Sequence, residues 1–457
     1  MSLMQAQPLL RSDTRYLEAV ETLPRDQLLA LQQRRLLAMV PYAYERAPLV
    51  RKLWDKAGVT PADIRSRADF VARVPFLTKD DISRERDVGG DAHGGLLCLD
   101  PGEVSWMVST SGTTGEPTLL SHRWNSSGLA PQAPGLNGQW PPSYFGSSPR
   151  DYWEMGVREG DYFLNFGFRM RGSTFRPIQY LGARPIFLSY APGDMLLAVK
   201  LSLQYRPTMW WTMSATTIRA LQAIEAEQGV DMRDVFGSYK AVIFAGEAVG
   251  PTMRKQLDRW GIGNRFFNMT TLGDVALAQD CRAHDGCHAW EDLAMVELVD
   301  PETGAPIETD GRGELVVTSL LNDANALTRF RTGDLVDMKW GSCACGRTHA
   351  RFVPVGRKND EVIVGGRSIL PTDVWPIVEL QAECEHGIFQ IIRPRREMDR
   401  LRLRVGYAGT PNIDDLRARV ITAIGEKLGL IPEVELLPQE RILATGSFTK
   451  IPRTVKQ

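Results

Sequence analysis

The sequence predicts an α/β protein: a large N-terminal α/β unit with a β-rich subdomain, followed by a small, mobile α+β unit. Three observations lead there. Between residues 161 and 260, apolar runs at 161–166, 185–188, 208–212 and 241–244 read as strands. They alternate with helical spacing at 194–203, 216–227 and 251–260, a pattern that favours a largely parallel sheet. From Ala294 the texture changes to strands joined by turns, at 294–299, 313–318 and 334–339, with PETG at 301–304 as one turn. Finally, the polar stretch GRKND at 356–360 reads as a flexible hinge before a unit with its own strand, helix and strand at 401–405, 414–428 and 433–437. The expected domains are therefore 1–355 and 356–457.

The N-terminal third fits this frame. Residues 25–40 carry apolar positions at helical spacing, and Pro24 suits the first turn of that helix. PFLTKDD at 75–81 reads as a turn into a second helix. Residues 125–150, rich in Pro, Gly, Ser and Asn, read as a long surface segment.

Composition bounds the function. A net charge of −1 over 457 residues supplies no basic field for nucleic acid. The six arginines between 393 and 404 read as a solvated face. No apolar run approaches the ~20 residues of a membrane span, and the N-terminus lacks a signal-peptide pattern, so a cytoplasmic protein is expected. Six cysteines are too few for a disulfide scaffold. Four of them form two close pairs, 281 with 287 and 343 with 345, which points to metal.

The segment VSTSGTTGEPT at 108–118 follows a short apolar run. Its glycines let backbone N–H groups approach phosphate oxygens, and its hydroxyls can donate to them. It is neither a P-loop nor a GxGxxG turn. STSGTTGEPT resembles the phosphate loop of the acyl-adenylate-forming superfamily. The resemblance implies that Ser109, Thr110, Ser111, Gly112, Thr113, Thr114 and Gly115 hold the phosphates of ATP. Glu116 stands where the family usually has lysine. A carboxylate beside a triphosphate is repelled by about 1 kcal/mol at 4 Å even in water, so Glu116 is expected to point away.

Further segments resemble one branch of that superfamily, the phenylacetate–CoA ligase-like enzymes. Residues 57–81, AGVTPADIRSRADFVARVPFLTKDD, resemble its N-terminal stretch. AGEA, from Ala245 through Gly246 and Glu247 to Ala248, resembles its adenine-contacting turn. RTGD at 331–334 resembles its ribose segment, with Asp334 accepting the ribose hydroxyls. Gly356 and Arg357 resemble its hinge, whose arginine meets ribose or phosphate. NMTTLGD at 268–274 is the weakest match. The family has Tyr-Gly-x-Ser/Thr-Glu there, so Met269, Thr270 and Thr271 are expected beside the nucleotide, with Thr270 in the aromatic place and Asp274 as the Mg²⁺ ligand. GSFTKIPR at 446–453 resembles the terminal motif, with Lys450 catalytic and Arg453 completing Lys-x-x-Arg.

Cys281, His288, Cys343 and Cys345 form a four-ligand set suited to a tetrahedral, structural Zn²⁺. Some members of the same branch resemble this arrangement. Cys287 is a rival ligand, His284 and His349 are spares, and buried free thiols are the plain alternative.

The resemblance implies activation of a carboxylic acid by ATP to an acyl-AMP, then transfer to a thiol. Lys450 and Mg²⁺ serve the first half, and rotation about 356–360 admits the thiol. Phe166, Phe168, Met213 and Gly246 are expected at the acid; the aromatic residues suit an aryl acid and equally suit core packing. Expected partners are a small carboxylic acid and either CoA or an acyl or peptidyl carrier protein, with a homodimer as one assembly. The alternatives are AMP transfer to a hydroxylated cofactor, as in F390 synthetase-like relatives, and a non-catalytic nucleotide-binding relative.

Overall fold

A single twisted sheet organises most of the chain in a computed structural model that describes residues 14–104, 106–109, 119–122, 148–166, 171–191, 193–245, 249–273, 275–321, 324–446 and 451–457. Among the described residues the sheet has eleven strands. Their order is Ala294–Val299, Gly311–Ser319, Phe330–Lys339, Arg351–Arg357, Cys287–His288, Ala276–Gln279, Phe266–Leu272, Ala241–Ala245, Met209–Met213, Tyr162–Phe166 and Arg184–Leu188.

The last five run parallel to one another. Their sequences explain this: MWWTM and AVIFA are apolar nearly throughout and buried almost along their whole length, as strands covered on both faces must be. The helices Arg171–Tyr180, Asp194–Tyr205, Ala215–Gln228 and Pro251–Arg259 intervene in sequence. Ala215–Gln228 starts where the Ser214 hydroxyl accepts the Thr217 N–H and stops at Gly229, whose φ of 64° suits glycine. The other half of the sheet is antiparallel and forms the expected β-rich part.

Toward the C-terminus, among the described residues, lie two smaller sheets. Arg367–Ile369, Val362–Val364 and Glu397–Met398 form the first; Glu433–Pro438, Arg402–Tyr407, Phe389–Ile392 and Thr454–Val455 form the second. Helices Pro371–Val378 and Ile413–Leu428 belong to the same region. One apolar cluster runs from Trp210 and Phe266 in the long sheet to Trp375 and Phe389 here.

Several expectations need correction. The first helix, Arg25–Arg46, continues through Pro41, and Pro24 precedes it as the N-cap. Pro41 removes one hydrogen bond, but Leu36, Met39, Val40 and Ala43 form a continuous buried face that carries the helix past it. Within 125–150, residues up to 147 lie outside the described residues. Ser148 instead caps a helix, Pro149–Glu154, that is buried throughout, because Arg150 and Asp151 find partners far away in sequence. GRKND is not simply a loop: Gly356 and Arg357 finish a strand paired with Leu335 and Asp334, and Lys358–Asp360 is a 3-10 turn.

The arginine-rich stretch resolves largely into ion pairs: Arg395 with Asp399, Arg396 with Glu302 and Glu361, Arg402 with Glu433, and Arg404 with Glu435. No helix among the described residues is long and apolar enough to cross a membrane.

Candidate functional site

Ligands of open parallel sheets bind beyond the carboxyl ends of the strands, and six of the expected residues, among those described, lie at or near those ends. Phe166, Met213 and Ala245 each end a parallel strand, and Met269, Thr270 and Thr271 fall in the last half of theirs. Register places Ala245 beside Met269. Just past that strand, Gly273 has φ +48°, and a Cβ there would lie 2.3 Å from Thr332 Cγ2. Only glycine lets this turn approach RTGD so closely.

RTGD is built by contacts with its neighbours. Thr332 Oγ1 donates to the Leu315 carbonyl at 2.9 Å and accepts the Asp334 N–H at 3.0 Å. Glu314 accepts the Gly333 N–H at 3.2 Å and the Arg331 guanidinium at 3.1 Å. Asp334 then receives Arg357 Nε at 3.0 Å across the strand pair. Three expected nucleotide segments (Ala245–Met269, the turn at Gly273, and Asp334 with Arg357) are thus held side by side. Glu314 was missed by sequence reasoning; it lies inside an ordinary strand, with no local signal of its role.

The segment from Thr110 to Thr118, with Ser111, Gly112, Thr113, Thr114, Gly115 and Glu116, lies outside the described residues. So do Phe168, Gly246, Glu247, Ala248, Asp274 and Lys450. Ser109 ends the short strand Trp106–Ser109, paired with Leu119–His122. Phe166 is fully buried, stacked between Trp210 at 5.0 Å and Tyr190 at 5.5 Å. Met213 is fully buried as well.

The cysteine–histidine set comes together. Ligand atoms of Cys281, His288, Cys343 and Cys345 all lie within 4.8 Å of one another, and all four residues are buried. Cys281 Sγ is 3.7 Å from Cys343 Sγ, and Cys345 Sγ is 3.4 Å from His288 Nε2. Tetrahedral Zn–S and Zn–N bonds of about 2.3 and 2.0–2.1 Å give edges of about 3.8 Å for S···S and 3.6 Å for S···N, so the donor set fits such an ion. His288 Nδ1 faces the His349 carbonyl at 3.3 Å, which turns Nε2 toward the sulfurs.

The rivals are occupied elsewhere. Cys287 Sγ meets the Asn268 carbonyl at 3.6 Å. His284 pairs with Asp280 at 2.8 Å. His349 uses both ring nitrogens, accepting the Glu291 N–H and donating to the Val20 carbonyl, each at 3.0 Å. Burial pushes its pKa down to about 4, so the ring stays neutral.

A buried ionic network adjoins this centre and was not anticipated. Arg347 pairs with Glu21 at 2.7 Å and Glu154 at 2.9 Å, all three nearly inaccessible. Arg150 pairs with Asp292 at 3.0 Å and covers the Trp290 ring at 4.3 Å. Through Arg347, Thr348 and His349 the segment after Cys345 grips the 3-10 turn Ala19–Thr22 and the residues beside it.

No protein-family model matches the chain. Curated relatives do. Phenylacetate–coenzyme A ligase of Thermus thermophilus is 29% identical over 448 residues, spanning 93% of this chain and 95% of the relative. That of Escherichia coli K12 is 27% identical over 85% of this chain and 84% of the relative. Among solved structures, 2-hydroxyisobutyryl-CoA ligase with 2-HIB-AMP in the postadenylation state is 24% identical, with a TM-score of 0.81 over 98% of this chain and 94% of that one. The same ligase with 2-HIB-AMP and CoA in the thioesterification state gives 0.66 over the same shares. These structures share the fold over nearly the whole chain. In sequence the chain is thus similar to phenylacetate–CoA ligases, and in fold to an acyl-CoA ligase solved with its acyl-AMP.

Proposed function

We propose that the protein uses ATP to activate a carboxylic acid, an aryl acid in our reading, as its acyl-AMP, and then passes the acyl group to the thiol of CoA. The observation that carries this reading is the assembly at the carboxyl ends of the parallel strands. There Ala245 with Met269, the glycine turn against Thr332, and Asp334 with Arg357 converge on one edge. Asp334 offers a carboxylate for ribose hydroxyls, with Arg357 beside it to meet ribose or phosphate. The phenylacetate–CoA ligases to which the chain is similar support both the acid class and the acceptor.

Lys450 offsets the charge that develops as the substrate carboxylate attacks the α-phosphate, and Asp274 holds Mg²⁺. The domains divide at residues 355 and 356, and the C-terminal one turns about 356–360 to withdraw Lys450 and admit the thiol. The closer superposition on the postadenylation than on the thioesterification arrangement of one neighbour supports two such arrangements. Exchange of labelled pyrophosphate into ATP, screened over a panel of aryl and alkyl acids beginning with phenylacetate, tests the reading. Exchange that depends on an acid is the expected result; none with any acid would overturn it.

The metal centre is read as structural zinc: four protein ligands close the tetrahedron and leave no position for substrate. Protein purified without chelator should contain about one zinc per chain, and Cys345→Ser should lower that content and the melting temperature together. A zinc-free protein of unchanged stability would exclude the site.

A further inference from the structure

One buried polar contact ties the C-terminal unit to the long-sheet unit beside the expected adenine turn. Helix Pro251–Arg259 begins at Gly250, which has no side chain to cap it. The cap is supplied from far along the chain: Glu379 Oε2 accepts the Thr252 N–H at 3.1 Å, and Thr252 Oγ1 donates to the Glu379 carbonyl at 3.4 Å. The other carboxylate oxygen accepts Trp375 Nε1 at 2.5 Å. Glu379 is only 4% exposed. A carboxylate at a helix N-terminus is favourable both for the open N–H and for the helix dipole.

Two glycines, one from each unit, make the room. A Cβ at Gly250 would lie 2.1 Å from both carboxylate oxygens, and one at Gly387 would lie 2.6 Å from Trp375 Nε1. The contact also reaches toward the terminal motif. The Arg453 guanidinium lies 3.6 Å from the Trp375 ring centre and is bonded to the Gly387 and Phe389 carbonyls. Lys450 is three residues before Arg453. Among the described residues, other polar ties between the units lie beside the hinge, where Arg357 donates to Asp334 at 3.0 Å and Thr372 Oγ1 to the Val355 carbonyl at 2.6 Å, or at the surface, where Glu302 of the PETG turn is 55% exposed as it meets Arg396 and Lys358. The exposed Glu302 pairs contribute little.

We propose that Glu379 is a positioning residue, a latch that docks the C-terminal unit on the N-terminus of helix Pro251–Arg259 in the arrangement that makes acyl-AMP, and that must let go before the thiol reacts. This rests on the two-step function proposed for the site. The latch sits one turn past the expected adenine segment at one end, and at the other it braces the strand that comes after Lys450. One set of contacts therefore joins the docked helix to Arg453 of the terminal motif.

The test labels exposed Lys255 and Glu426, each changed to Cys, and measures their separation by energy transfer in the full chain without ligand. The parent should show one narrow distance. Glu379→Ala and Gly250→Ala should each broaden it or add a second population, and Glu379→Gln should fall between. Gly250 has φ −78° and ψ 167°, so alanine there adds no backbone strain and acts only by displacing the carboxylate. Glu383→Ala, which removes a half-buried pair with Arg419 wholly inside the C-terminal unit, should leave the distance unchanged.

With phenylacetate as the first acid, Glu379→Ala should cut pyrophosphate exchange at least tenfold without slowing CoA-dependent release of acyl group from preformed acyl-AMP. An unchanged distance in both Ala variants, or an equal loss in both half-reactions, overturns the latch. Absence of exchange in the parent tells only against the function, since the distance measurement needs no acid.

Discussion

Lys450→Ala is expected to reduce acid-dependent pyrophosphate exchange by about 10²–10³-fold, the usual cost of removing one group aimed at charge that develops in the transition state. Lys450 lies outside the described residues, so the expectation rests on GSFTKIPR and on the contacts of the residues just after the lysine. Arg453 is anchored under Trp375, and Thr454 pairs with Ile391 in the second small sheet. This fixes the chain three residues after the lysine to the unit proposed to turn. Because that unit is proposed to withdraw the lysine before the thiol attacks, the same variant should release acyl group from preformed acyl-AMP at close to the parent rate. Two half-reactions measured separately decide it. An exchange rate within a factor of a few of the parent would remove Lys450 from the chemistry.

The largest effect on stability is expected from Arg347→Met. Its guanidinium neutralises Glu21 and Glu154, both nearly inaccessible to water. Among the described residues, the substitution leaves two carboxylates buried with only Arg282 still paired, on the Glu154 side. Breaking a buried pair from one side costs about 3–5 kcal/mol, in a unit of this size a fall in melting temperature of about 4–7 °C. The triple change Arg347→Met with Glu21→Gln and Glu154→Gln should recover much of the loss, because the uncompensated charge is then gone. Calorimetry on the two variants checks both statements. A single variant as stable as the parent would mean that water reaches these carboxylates and the network is not closed.

Much of the fold was legible because its signals are local. Alternating apolar runs and helical spacing between 161 and 260 correspond to observed strands and helices within a few residues, and Ala294–Val299 matches in full. Boundaries drifted where tertiary burial overrode a local stop, as at Pro41. The helix Pro149–Glu154 was invisible because it starts at the end of a Pro-, Gly-, Ser- and Asn-rich segment that reads as surface; only distant partners explain the burial of Arg150 and Asp151.

The cysteine–histidine set shows where each kind of information ends. Residue type and the close pairing of Cys343 with Cys345 suggested a metal, and the sequence by itself determined which four residues were candidates. It left Cys287, His284 and His349 as rivals. Cys287 and His288 are adjacent, and alternation along a strand sends neighbouring side chains to opposite faces; which face meets Cys343 depends on pairing across the sheet. The tertiary structure decided that, with His288 at the sulfurs and Cys287 against the Asn268 carbonyl. In the same way the motifs named Asp334 and Arg357 separately. Only strand register brought them within a hydrogen bond, and only the fold placed Glu379 on a helix more than a hundred residues earlier. Chemistry and periodicity are written locally, whereas contacts between distant segments depend on how the whole chain packs.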